Sequence, residues 1–190
     1  MTDRVARRPH GRKAREIYGG DDVHAWAWET VLGALVPGPE DSLLDVGCGG
    51  GVFLRHAIAT TGCDGVGVDH SREMARLAGP LAVHAEAEAL PFGAAEFTAV
   101  SSIVAFFFFP EPLQAMREMR RVLAPHGRLA VYTTSPEAKG TMAAPYPLAT
   151  RGHFYTNEEL ARFPLEAGFS IARVTRPDES GWAQLLYAQL

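Results

Sequence analysis

The segment Leu43-Leu44-Asp45-Val46-Gly47-Cys48-Gly49-Gly50-Gly51 holds the residues whose types and spacing most directly suggest chemistry. A short apolar run ends in glycines and leads into an amphipathic stretch, so backbone N–H groups can approach a ligand with no Cβ in the way. A second acid, Asp69, follows 18 residues after Gly51, at the end of the next apolar run. At the ligand-binding edge of a sheet, a carboxylate there accepts both hydroxyls of an adenosine ribose. A dinucleotide site uses the same devices, but its G-x-G-x-x-G spacing laid on Gly47 and Gly49 needs a glycine where Val52 stands. No basic residue occupies positions 47–54 to neutralise a pyrophosphate, and Arg55 is the first. The spacing points to a nucleoside bearing an amino-acid tail.

Other reactive side chains offer less. Cys48 and Cys63 form no C-x-x-C pair, so no zinc site is expected, and Cys48 reads as a small spacer within the glycine loop. His24, His56 and His84 lack metal-ligand spacing, and no metal is expected. His153 and Tyr155 are candidates for a general base, with surface placement as the alternative. The run Phe106 to Phe109 reads either as core packing or as the apolar wall of a substrate pocket. Trp26 and Trp28 sit on an amphipathic helix as core and surface residues, or form an aromatic clamp.

The elements that must position these residues alternate between β-rich runs and amphipathic stretches. Strands are expected over 42–46, 65–68, 81–84, 98–104 and 129–133. Helices are expected over about 23–35, 52–60 and 71–77, and along the stripe Leu113, Met116, Met119 and Leu123 up to Pro125. His126 at the third position of the Pro125-His126-Gly127 turn favours type I over type II. Thr156 and Glu159 form a capping box for a helix that Gly168 stops. Two last strands, 169–174 and 183–190, have only a short loop between them and should pair as an antiparallel hairpin. The pattern is an α/β sandwich with a mostly parallel sheet. Residues 135–155, rich in proline and poor in periodicity, form a lid-like connection within a single domain over 16–190.

The chain has 190 residues, a formal charge of −4, 47% hydrophobic and 21% charged residues, which excludes a disordered, collagen-like or disulfide-stapled chain. No stretch approaches a membrane span, and the two cysteines suit a reducing cytoplasm. Residues 1–15 form a basic arm with Arg4, Arg7, Arg8, Arg12, Lys13 and Arg15 against Asp3 alone. The arm reads as a solvated terminus or as a reach for phosphates, and the acidic remainder argues against a broad nucleic-acid footprint.

Taken together, LLDVGCGGG, VGVDHSREM, AEAEALPF and SSIVAFFFFPEP followed by REMRRVLAPHGRL resemble, in order, the motifs of the class I S-adenosylmethionine-dependent methyltransferases. The resemblance covers about residues 15 to 175 and is closest to the ubiquinone/menaquinone-biosynthesis type. It implies a Rossmann-like seven-stranded sheet of order 3-2-1-4-5-7-6, the last strand antiparallel, with helices on both faces. It further implies S-adenosylmethionine as cofactor and S-adenosylhomocysteine as product. Gly47 and Gly49 would lie under the methionine part, Asp45 would help orient it, Cys48 and Gly51 would also belong to the cofactor-binding loop, and Ser102 would touch the methionine end. Asp69 would hold the ribose, His70 and Met74 would border the adenine, and Glu86 and the Ala87 N–H would read its edge. Tyr18 would close over the cofactor. The third motif departs from the usual Gly-Asp by reading Ala85-Glu86, and a frequent His pair after the fourth strand is replaced by Phe107-Phe108. The implied reaction is methyl transfer to a small apolar or aromatic metabolite, enclosed by the short lid or by a partner in a homodimer. A cofactor-binding scaffold without catalysis, or a nucleic-acid methyltransferase using the arm, are the other readings.

Overall fold

The computed structural model describes residues 25–146 and 148–190. The arm, Tyr18 and His24 lie outside the described residues. One sheet of seven strands runs through the molecule: β1 (Ser42–Val46), β2 (Asp64–Asp69), β3 (Ala82–His84), β4 (Phe97–Ile103), β5 (Leu123–Thr134), β6 (Ile171–Thr175) and β7 (Ala183–Gln189). Their order across the sheet is β3-β2-β1-β4-β5-β7-β6, as the family resemblance implies. All pairs are parallel except β5–β7 and β6–β7. The short loop before β7 forces its reversed direction, because a parallel return needs a crossover of a dozen or more residues.

Among the described residues five α-helices flank the sheet: α1 (Ala25–Leu35), α2 (Val52–Thr61), α3 (Arg72–Ala78), α4 (Pro112–Val122) and α5 (Asn157–Ala167). Two separate cores follow from the two sheet faces. On one face α1 and α2 cover Leu43, Ala99, Ala130 and Tyr132 with Val31, Leu35, Phe53 and Leu54. On the other, α4 and α5 cover Val46, Val100, Val131 and Leu186 with Met116, Met119 and Leu160. The central strands are buried on both sides and accordingly read as continuous apolar runs.

Helix ends follow their local signals. Thr156 Oγ1 accepts from the Glu159 N–H at 3.2 Å while Glu159 Oε2 accepts from the Thr156 N–H at 2.8 Å, the reciprocal cap expected for α5. Gly168 ends that helix at φ +96°.

Two expectations fail at one place. Helix α4 stops at Val122, and β5 starts at Leu123 rather than near residue 129. Leu123 pairs with Phe97, and the ladder slips before Ala99 meets Arg128. Pro125, which cannot donate to a ladder, falls within that irregular stretch. His126 adopts φ +65°, which a type I turn does not permit at this position. Its neighbour explains why the turn is so tight: a Cβ on Gly127 would meet the Ala124 carbonyl at 2.8 Å.

A candidate cofactor and acceptor cavity

The parallel strands β1, β2 and β4 all end on one side of the sheet, and the loops that follow them surround a cavity. Val46 and Gly47 follow from β1, Val68, Asp69 and His70 from β2, and Val104 and Ala105 from β4. Ligands bind at this edge in open α/β sheets because the chain reverses there and leaves a crevice between diverging loops.

Gly47 has φ +83°, and a Cβ there would overlap the Ala105 methyl. Glycine at 47 therefore keeps the β1 and β4 loops in close contact and the cavity floor bare. The N–H groups of Gly47 and Cys48 both donate to the Val68 carbonyl, at 2.8 and 2.9 Å, which pins the glycine loop to the end of β2. Asp69 is nearly fully buried and is held at both oxygens. Its Oδ2 accepts from the Gly49 N–H at 2.9 Å and its Oδ1 from the Ser71 N–H at 2.8 Å. Burial pushes its pKa above the ordinary carboxylate value, against the N–H donors and the neighbouring His70. Glu86 and Glu88 line the same side, whereas neither Lys nor Arg is among the lining residues.

Much of the remaining lining is apolar and includes Val104, Ala105, Phe108, Phe109 and Pro110. The phenylalanine run thus divides. Phe106, Phe107 and Phe109 are buried core side chains, Phe108 is half-buried, and Phe108 and Phe109 also line the cavity.

The structure brings Gly47, Gly49, Asp69, His70, Met74, Glu86 and Ala87 together around the cavity. Asp45, Cys48, Gly51 and Ser102 are not among the lining residues. Asp45 lies behind, 2% exposed, with Oδ1 accepting from Ser101 Oγ at 2.8 Å. Its burial, reinforced by the charge of Asp69, raises its pKa to about 7, although the Ser101 hydroxyl pulls the other way. Cys48 fills the space over Gly67, and burial pushes its thiol far above the ordinary range, so it is no nucleophile. Gly51 begins α2 at φ +75°. Ser102 is fully buried on the sheet. Neither His153 nor Tyr155 lines the cavity, so neither expected base reaches it. No group of three His, Cys, Asp or Glu suited to a metal occurs among the described residues.

Sequence reasoning did not single out Val104, Ala105 or Glu88. Val104 takes φ +55° with no residue-type cue. The small side chain of Ala105 gains its meaning only from Gly47 opposite. Glu88 lies two residues beyond Glu86, and that spacing was its only signal.

The strand order is that of the Rossmann-like class I methyltransferase fold. The chain overlays on a chain of a complex containing the Haloferax volcanii Trm112 methyltransferase activator with a TM-score of 0.80, at 19% identity and over 92% of this chain and 93% of that one. Residues 44–131 match the family model described as a methyltransferase domain. The fold and the matched segment make S-adenosylmethionine-dependent methyltransferases the proteins that this chain resembles. It is 35% identical over 124 residues to the human protein named "Probable tRNA methyltransferase 9B", covering 62% of this chain and 27% of that protein. It is 33% identical over 131 residues to a demethylmenaquinone methyltransferase of Thermus thermophilus, covering 64% of this chain and 59% of that protein. The chain thus spans about a quarter of the first relative and about three fifths of the second.

Proposed function

We propose that this protein transfers a methyl group from S-adenosylmethionine to a small apolar or aromatic acceptor. One observation carries the reading: the cavity lining combines a glycine loop and the carboxylates of Asp69, Glu86 and Glu88, with no Lys or Arg, with the apolar residues Val104, Ala105, Phe108, Phe109 and Pro110. Carboxylates without basic partners suit a cationic ligand and oppose a pyrophosphate.

When bound, S-adenosylmethionine supplies a methyl group on a positively charged sulfur that leaves as a neutral thioether. Asp69, anchored by two backbone N–H groups, keeps lone pairs for the ribose hydroxyls. Gly47 and Gly49 offer backbone to the methionine part, with Asp45, Cys48 and Gly51 supporting that loop from behind. His70 and Met74 border the adenine, and Glu86 and the Ala87 N–H read its edge. The apolar wall holds the acceptor against the methyl group and excludes water. Orientation of this kind is worth at best about 7–11 kcal/mol, and no residue has to protonate the leaving group. Of the described residues in 135–155, none lines the cavity. That segment acts on the wall indirectly, since the His153 N–H donates to the Phe107 carbonyl at 2.8 Å and Phe154 stacks on Phe107 at 5.5 Å.

Calorimetric titration and thermal unfolding with S-adenosylmethionine, S-adenosylhomocysteine and NADH test this. The first two, at 100 times their dissociation constants, should stabilise the fold by about 2.7 kcal/mol. NADH should not, and Asp69→Ala should abolish the response. A folded protein indifferent to both sulfur compounds would sink the reading.

A further inference from the structure

Much of the apolar lining enters the cavity on one short stretch of chain. Val104, Ala105, Phe108, Phe109 and Pro110 all follow directly on β4, which ends at Ile103. The backbone there does not support itself. Val104 takes φ +55°, a conformation that a β-branched side chain disfavours and that persists only where the surroundings enforce it. A single 3₁₀ turn, Phe106–Phe108, follows. It is closed by bonds from the Phe108 N–H to the Ala105 carbonyl at 2.8 Å and from the Phe109 N–H to the Phe106 carbonyl at 3.1 Å. One such turn is too short to hold its own shape.

Support comes from the end of the long connection between β5 and α5, where two consecutive aromatic residues meet two consecutive phenylalanines of the turn. Phe154 lies flat on Phe107, with ring centroids 5.5 Å apart and planes 11° from parallel. Tyr155 meets Phe106 edge-on at 6.0 Å and is itself backed by Phe163 of α5 at 4.9 Å. The backbone joins in: the His153 N–H donates to the Phe107 carbonyl at 2.8 Å, and the Tyr155 carbonyl accepts from Gln184 Nε2 at 3.0 Å. The Lys139 ammonium lies 5.3 Å from the centre of the Phe154 ring, which ties in the start of the same connection. Gly152 shows how closely these parts fit. A Cβ there would lie 2.9 Å from Phe154 Cε2 and 3.1 Å from Phe107 Cδ2, against both stacked rings.

Phe106 and Phe107 are buried and do not line the cavity, but Phe107 touches Phe108 at 4.5 Å and Phe106 touches Phe109 at 5.4 Å. Each buried ring thus touches one residue of the connection and one ring of the cavity lining. No residue of 152–155 lines the cavity, so the grip acts from outside it. A site is only as accurate as the side chains that lock it in place. We propose that Phe154 and Tyr155 are positioning residues that set the size of the acceptor: clasped on Phe107 and Phe106, they fix how far Phe108 and Phe109 project into the cavity. This rests on the methyl-transfer reading above.

The probes are phenol and 2-naphthol, one ring and two, titrated into the protein saturated with S-adenosylhomocysteine. A misfit of one methylene in an apolar pocket changes discrimination by about tenfold or more, so a small shift of these rings is measurable. Phe154→Leu fills the space without a flat ring and should change the ratio of the two dissociation constants by about fivefold. Phe154→Tyr, which keeps the stack, should restore the parent ratio. Hydrogen exchange in the free protein supplies a second readout. In Phe154→Leu the Phe108 amide should exchange about tenfold faster, while the Cys48 amide, bonded to the Val68 carbonyl in the glycine loop, keeps its rate. Gly152→Ala, whose methyl presses on the same two rings, should reproduce both effects and carries the test if the leucine variant does not fold. A ratio unchanged in both variants, binding of neither probe to the parent, or equal acceleration of the Phe108 and Cys48 amides would overturn the proposal. Failure of the parent to bind S-adenosylhomocysteine would instead sink the methyl-transfer reading, and the exchange comparison would still decide whether the clasp holds the turn.

Discussion

Asp45 and Asp69 place two carboxylates in one buried corner, and both are pushed toward the neutral form. A carboxylate whose pKa rises on folding favours the folded state most below its unfolded value of about 3.8. That contribution is lost as the pH rises through the folded value, about 7 for Asp45. Asp45→Asn removes the loss while keeping an oxygen for the Ser101 hydroxyl. Without cofactor the variant should be more stable than the parent at pH 8, by a difference on the order of a few kcal/mol that vanishes near pH 4. Urea unfolding at the two pH values measures it, and an equal difference at both would contradict the buried-charge account. Gly47→Ala should fail for another reason, since its methyl would overlap Ala105 at a positive φ. Overpacking and left-handed strain together cost about 2–5 kcal/mol, read in the same unfolding experiment.

At the scale of elements, the long connection after β5 is a strap tied at both feet. Arg176, at the end of β6, meets Glu137 Oε2 with Nη1 at 3.1 Å and Glu137 Oε1 with Nη2 at 3.3 Å near the first foot. Its Nε reaches Asn157 near the second, and Nη1 also donates to the Gly181 carbonyl. The guanidinium holds the Glu137 carboxyl down at a pKa of about 2. Arg176→Ala should therefore free both feet together and speed hydrogen exchange at the His153 amide, which is bonded to Phe107. Thr156→Ala should cost about 1 kcal/mol through the lost cap of α5 alone. Unchanged exchange at His153 in Arg176→Ala would show that ring stacking on Phe107 suffices to hold the strap.

The molecule as a whole presents a cavity lined by carboxylates and apolar side chains, and no helix among the described residues is long and apolar enough to cross a membrane. The basic residues at 1–15 make a nucleic-acid acceptor the rival reading. Deleting residues 1–14 decides between them. If the acceptor is small, affinity for S-adenosylhomocysteine and any weak tRNA binding should be unchanged. A tRNA affinity that falls, with a shallower dependence on salt, would favour the rival.

Local sequence was enough wherever local physics rules. The glycine loop, the capping box at Thr156 and Glu159, the stop at Gly168 and the hairpin of β6 and β7 each follow from a few adjacent residues and a fixed backbone preference. So did the carboxylate at the end of β2, because strand ends and glycine turns fall at a legible spacing. The start of β5 was not legible, since Leu123 continues the stripe of α4 and only its pairing with Phe97 draws it into the sheet. Nor was the split of the phenylalanine run, in which four identical side chains differ only by what lies opposite them. Three buried polar residues show the same limit most plainly. Ser102, Thr133 and Gln184 are far apart in the chain, and only strand order and register, which are set by long-range pairing, put them on neighbouring strands of one face.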